Sequence, residues 1–88
     1  MARKHKTRAI ECAEITGHDY LARVVIAVND DPKTARPYHV RRIWKDGAGD
    51  TSTHAEYVSA RAAAEATLSA AADEGASFHP IAAIAVAA

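Results

Sequence analysis

The chain has 88 residues, a formal net charge of zero and one cysteine. That bounds it to one small domain with a limited core and no internal disulfide. A quarter of the residues are alanine, so the 49% hydrophobic fraction overstates the core; only 20 side chains are larger apolar ones (Ile, Leu, Val, Phe, Trp, Tyr, Met). No run approaches the ~20 apolar residues that span a bilayer, the basic start "MARKHKTR" has no apolar stretch of a secretory signal after it, and a lone cysteine fits a reducing cytoplasm.

The neutral total is assembled from blocks. Residues 1–8, 9–32, 33–45 and 46–88 carry +4, −4, +5 and −5. Such blocks either pair across neighbouring strands or leave a local basic patch.

In chain order, residues 1–7 read as a flexible basic arm and 8–88 as one domain. "RAIECAEIT" (8–16) alternates in part and predicts an edge strand, a helical reading staying open, and "TGHD" is a turn signal. "YLARVVIAVN" (20–29) gives the clearest strand. Tyr20, Ala22, Val24, Ile26 and Val28 fall on one face, and Leu21, Arg23, Val25 and Ala27 on a semi-apolar other, so it belongs at the sheet centre or at an interface. "DDPKTARP" is a loop that its two prolines keep out of any ladder. "YHVRRIWK" (38–45) is a further strand, "DGAGD" a hairpin turn, and residues 51–58 the return strand. Residues 59–75 form an Ala-rich helix with Ser59 at the N-cap, Gly75 just past the C-terminus and Leu68 as its one large apolar residue. The uncharged tail "FHPIAAIAVAA" reads as a last strand or a short helix, docked or paired in an oligomer because it is an aggregation risk in water.

Few groups suggest reaction chemistry. The five histidines (His5, His18, His39, His54, His79) form no close ligand pair, and Cys12 has no second cysteine, so no metal or cofactor is expected. The histidines read as surface residues beside turns and Cys12 as a small hydrophobe. "DGAGD" lacks the Lys-Ser/Thr of a phosphate loop, and the paired acids 30–31 and 73–74 sit at element ends. The sequence points away from an enzyme.

The basic strand remains. If Tyr38, Val40 and Trp44 face the helix, then His39, Arg41 and Lys45 project from the opposite face, while the Arg42 stem packs on the core side and its head reaches outward. Those cations, with Arg3, Lys4, Lys6 and Arg8 of the arm, are the candidate nucleic-acid contacts.

"YHVRRIWKDGAGDTSTHAEYVSARAAAEATL" resembles the three-stranded-sheet-plus-helix DNA-binding domains of the AP2 and integrase arm-binding type: strand, Gly hairpin, strand ending in an aromatic, Ser cap, Ala-rich helix carrying a Leu. The resemblance covers the central third of the chain and implies a sheet face in the DNA major groove, with Arg41, Arg42 and Lys45 on DNA and Trp44 as a packing anchor. The chain departs from the pattern in crowding its cations onto one strand and in placing Glu56 on the return strand, and its Leu follows the Ser cap one residue late.

The expectation is an α+β domain: a small antiparallel sheet of three to four strands with one Ala-rich helix packed on one face. The expected function is that of a non-catalytic nucleic-acid-binding accessory protein using the basic strand face and the N-terminal arm, with double-stranded DNA as the candidate partner. The rival is a protein-binding or self-associating module, a homo-oligomer or a phage or mobile-element modulator of a host protein, with Val25, Ile81, Ile84 and Val86 at the interface. The abundant Ala and Arg fit a gene of a high-GC bacterium or its phage.

Overall fold

The computed structural model describes residues 7–84. The chain runs through β1 (Thr7–Thr16), β2 (Leu21–Asn29), β3 (Tyr38–Trp44), β4 (Gly49–His54), α1 (Tyr57–Asp73), β5 (Ser77–Phe78) and β6 (Ala82–Ala83). β1 to β4 form an antiparallel meander in the order β4-β3-β2-β1. The helix then crosses one face, and the returning chain lays β5 and β6 antiparallel on the free side of β1. The α+β class and the antiparallel sheet are as expected, but there are more strands. β2 is central. β1 is not an edge, because the tail takes its outer side; the described edges are β4 on one side and the two-residue strands β5 and β6 on the other.

Core formation follows from alternation, interrupted twice. Val24 and Ile26 of β2, Val40 of β3, and Ala13 and Ile15 of β1 point at the helix and are buried there with Ala60, Ala64, Leu68 and Ala71. That helical stripe is alanine except for Leu68, so helix and sheet approach closely and each alanine methyl adds little burial. Register shifts at Ile10 and at Ala22 break the period of two. The second delivers Leu21 to the core, although simple alternation assigns it to the other face, and leaves Tyr20 exposed.

The helix begins two residues before the expected cap. Residues 57 and 58, assigned from the sequence to the return strand, form its first turn. Glu56 is the N-cap residue without a side-chain cap bond, and Ser59 lies within the helix. Tyr57, at the helix start, packs edge-on to Tyr38 at 5.9 Å. The C-terminus is as read. Gly75 has φ 94°, and the Gly75 and Ala76 N–H groups donate to the Ala72 and Ala71 carbonyls at 3.0 Å, a Schellman ending that also buries Ala76. The described part of the tail pairs as strand, not helix: Ala82–Ala83 pair with Cys12 and Glu11, and the Ile84 N–H donates to the Ile10 carbonyl.

Candidate nucleic-acid interface

Because α1 and its core residues lie on one side of the sheet, the other side carries no described helix or strand. Its residues follow from the register. One row is Ala9–Ala27–His39–Thr53, the next Cys12–Val25–Arg41–Thr51, and the third Glu14–Arg23–Ile43–Gly49. Val25 and Ala27 form a buried floor, with Ala27 0% exposed. Arg23, Arg41 and His39 rise around it, and among the described residues no ion pair or hydrogen bond holds those three side chains. Arg36, from the loop before β3, joins the rim: its Nε and Nη2 donate to the Thr53 hydroxyl and carbonyl at 3.1 and 2.6 Å. Glu14, opposite Arg23, is the one acid that alternation places on this face among the described strand residues.

The helix side treats its cations differently. Arg42 pairs with Asp50 through two hydrogen bonds and sits 5.6 Å from the centre of the Trp44 ring. Those bonds hold the Asp50 carboxyl below the usual carboxylate range. Arg61 donates to Glu11 and the Tyr57 hydroxyl at 2.9 and 3.1 Å and to Glu65 at 3.1 Å. The helix side thus holds Arg42 and Arg61 in carboxylate pairs, whereas Arg23 and Arg41 on the other side have no such partner among the described residues.

Two clefts flank the helix. One of about 190 Å³ is lined by Val40, Arg42, Asp50, Ser52, Ala63 and Thr67. The other, about 370 Å³, lies between the helix and the tail, over Leu68, Ala72, Phe78 and Ile81, with Arg61 and Glu65 at its rim. Cys12 is half-buried on the open face. Burial pushes its thiol up; Arg23 pulls it down and Glu14 adds to the rise.

The structure splits the sequence-predicted site residues. His39 and Arg41 are on the open face, and Lys45 is exposed in the hairpin turn beyond β3. Arg42 is on the helix side, engaged by Asp50. Arg8, exposed opposite Val28, also takes the helix-side parity. Arg3, Lys4, Lys6 and Val86 lie outside the described residues. Of the predicted interface residues, Val25 is in the open-face floor, Ile81 packs against the core and Ile84 is exposed beside β1. Sequence reasoning missed Arg23, whose odd parity in the central strand was signal enough, and Arg36, which reaches the face through a bond to Thr53 that no local pattern announces.

It also misplaced His18, which is 4% exposed. Its Nδ1 accepts from the Tyr20 and Leu21 N–H groups at 3.2 and 3.0 Å, so the ring proton is on Nε2, which donates to Glu74. The histidine closes the β1–β2 turn and ties it to the end of the helix.

No family model, curated protein or solved structure matches the chain. The reading of the face therefore rests on its own geometry.

Proposed function

We propose that the open sheet face binds double-stranded DNA as a non-catalytic accessory surface, in the manner that the resemblance to sheet-plus-helix DNA-binding domains implies. The observation that carries the reading is the difference between the two sides. Arg42 and Arg61 are engaged by carboxylates, while Arg41, without a partner among the described residues, stands on a face that no described helix or strand covers, with Arg23, Arg36 and His39 beside it. Guanidinium groups held by a rigid strand suit phosphate and guanine edges, and a two-stranded ribbon fits the major groove. The described face carries no Phe, Tyr or Trp, which favours a duplex over the stacked bases of a single strand.

The test is anisotropy of a labelled mixed-sequence duplex, titrated at low and at physiological salt. Arg41→Ala is expected to weaken binding and to lower the salt slope by about 1. Arg23→Ala/Arg41→Ala weakens it further. Arg42→Ala, on the opposite side, leaves affinity unchanged. Equal losses for Arg41→Ala and Arg42→Ala would remove the face from the argument, and no binding at low salt would remove DNA.

A second reading rests on the floor of the same face. Cys12, Val25, Ala27 and Ile43 form an apolar strip between the guanidinium groups, as at an interface with a polar rim. A protein partner seated on that apolar strip would bind with a weaker salt dependence than a duplex and show no response to duplex.

A further inference from the structure

The two sides of the sheet are finished differently. At the β1 side the chain covers its own edge: β5 pairs at Ile15 and Thr16, and β6 at Glu11 and Cys12. At the β4 side nothing described follows. Exposed edges are usually blunted by lysine, proline, a bulge or an inward charge. β4 reads GDTSTH, pairs with β3 without a register shift and has no lysine or proline. Its one acid, Asp50, is neutralised by Arg42.

The direction of each main-chain group follows from one hydrogen bond. The Trp44 N–H donates to the Ala48 carbonyl at 2.8 Å. Antiparallel pairs alternate, so Asp50, Ser52 and His54 bond inward to Arg42, Val40 and Tyr38. Gly49, Thr51 and Thr53 then point their N–H and C=O groups away from the sheet. Of these groups, the Thr53 carbonyl is taken by the Arg36 guanidinium.

We infer that this edge is a pairing surface for a second copy of the chain, joined antiparallel through β4 about a two-fold axis at Thr51, with Arg36 as its gate. The register is self-complementary. Thr51 meets Thr51 of the second copy, Gly49 meets Thr53, and Asp50 meets Ser52. No like charges stand opposite each other, and two threonines, good strand formers, face across the axis. Full pairing makes about six main-chain hydrogen bonds, and Arg36 must release the Thr53 carbonyl to allow the outer ones. The joined sheet sets the two open faces side by side, with the two Arg41 positions three strand spacings apart, about 14 Å. An interface of this kind is near or below the ~1,000 Å² expected of a stable complex, so the dimer is a concentration-dependent one. The inference stands whatever the open face binds.

Sedimentation equilibrium of the full chain without nucleic acid tests it, from ~10 μM to ~1 mM, the range that suits a small interface. The wild type is expected to pass from monomer to dimer. Arg36→Ala frees the Thr53 carbonyl and raises the dimer fraction several-fold at a given concentration. Thr51→Pro removes an outward N–H, a place where an edge strand tolerates proline; it keeps the circular dichroism of the wild type and stays monomeric. Amide exchange supplies an independent readout, since the Thr51 N–H is protected only at dimer-forming concentrations. A wild type and Arg36→Ala that both remain monomeric at ~1 mM, a Thr51→Pro that dimerises like the wild type, or a Thr51 amide whose exchange ignores concentration would each overturn the inference.

Discussion

Replacing His18 with alanine removes three hydrogen bonds and an aromatic contact at once. The Leu21 N–H loses its acceptor at a buried bond, the Tyr20 N–H loses the same acceptor, and Glu74 loses its donor. An unpaired buried N–H costs about 1–3 kcal/mol, and the edge-on contact with Tyr20 at 4.7 Å contributes about 0.5–1.5 kcal/mol. The Glu74 bond adds little, because Glu74 is 60% exposed. The expected total is about 2–4 kcal/mol, a large part of the ~5–15 kcal/mol of a native domain. With a urea dependence near ~1 kcal/mol per molar for a chain this short, the midpoint falls by about 2–4 M. Two conservative variants separate the roles. In His18→Asn the side-chain oxygen falls near the Nδ1 position and can still accept from the turn. In His18→Gln the amide reaches toward Glu74 and leaves the turn N–H groups unpaired. The expected order in urea is wild type, then Asn, then Gln and Ala close together. A Gln variant more stable than the Asn variant, or an alanine variant within about 0.5 kcal/mol of wild type, would refute the reasoning.

Gly49 is fixed by proximity: a Cβ there would stand 2.1 Å from the Arg42 carbonyl oxygen, so Gly49→Ala must push β4 away from β3, at about 1–3 kcal/mol in thermal or urea unfolding. The Cys12 thiol, held above its ordinary pKa chiefly by burial, should alkylate more slowly than a free thiol at neutral pH and show its rise in rate at higher pH. Because Cys12 lies in the row of Arg41, saturating duplex should slow that alkylation further if the open face is the site, as mass spectrometry would show. The Arg42–Asp50 pair supplies stability that is present above the ordinary aspartate pKa of about 3.9 and lost as pH falls through the lower folded value. Asp50→Asn should therefore cost about 0.2–1 kcal/mol at neutral pH, the range for an exposed pair, and nothing in strong acid.

Much of the fold was legible because alternation survives wherever the ladder is regular. Val24, Ile26 and Val40 fall on the helix side as their parity requires, and the parity of β3 separates Arg41 from Arg42. What was not legible has physical causes. A bulge shifts the parity by one, so Leu21 could not be placed without knowing that Ala22 is the extra residue. The helix start was misread because Ser59 is the better cap by type, whereas the helix begins at Tyr57, whose ring packs on Tyr38 from a distant strand. His18 looked like a turn histidine because its partners are main-chain N–H groups two and three residues on and a carboxylate 56 residues away. The edge protection of β1 depended on a tail whose apolar pattern fits strand and helix equally.

A neutral total also limits how such a face can act. Beyond about 8–10 Å at physiological salt individual surface charges are screened, and a neutral chain has no net field to add, so long-range steering toward a polyanion is weak. Within that distance the partner meets one side only, and what it meets depends on which cations are already engaged. Arg61 is spent on Glu11 and Glu65 and Arg42 on Asp50, which lie where the helix and the hairpin bring acids close. Among the described strand residues the open side has Glu14 alone, beside Arg23, so Arg41 keeps its donors for an external group. The sorting is done by the same alternation that builds the core: Arg42 shares a parity with Asp50 of the neighbouring strand, whereas Arg41 stands in a row with Cys12, Val25 and Thr51 and meets no acid there. Charge layout and fold are thus one consequence of the strand pattern: position 41 presents its guanidinium to the open face, and position 42, one residue on, places its own beside Asp50 in a solvent-exposed pair.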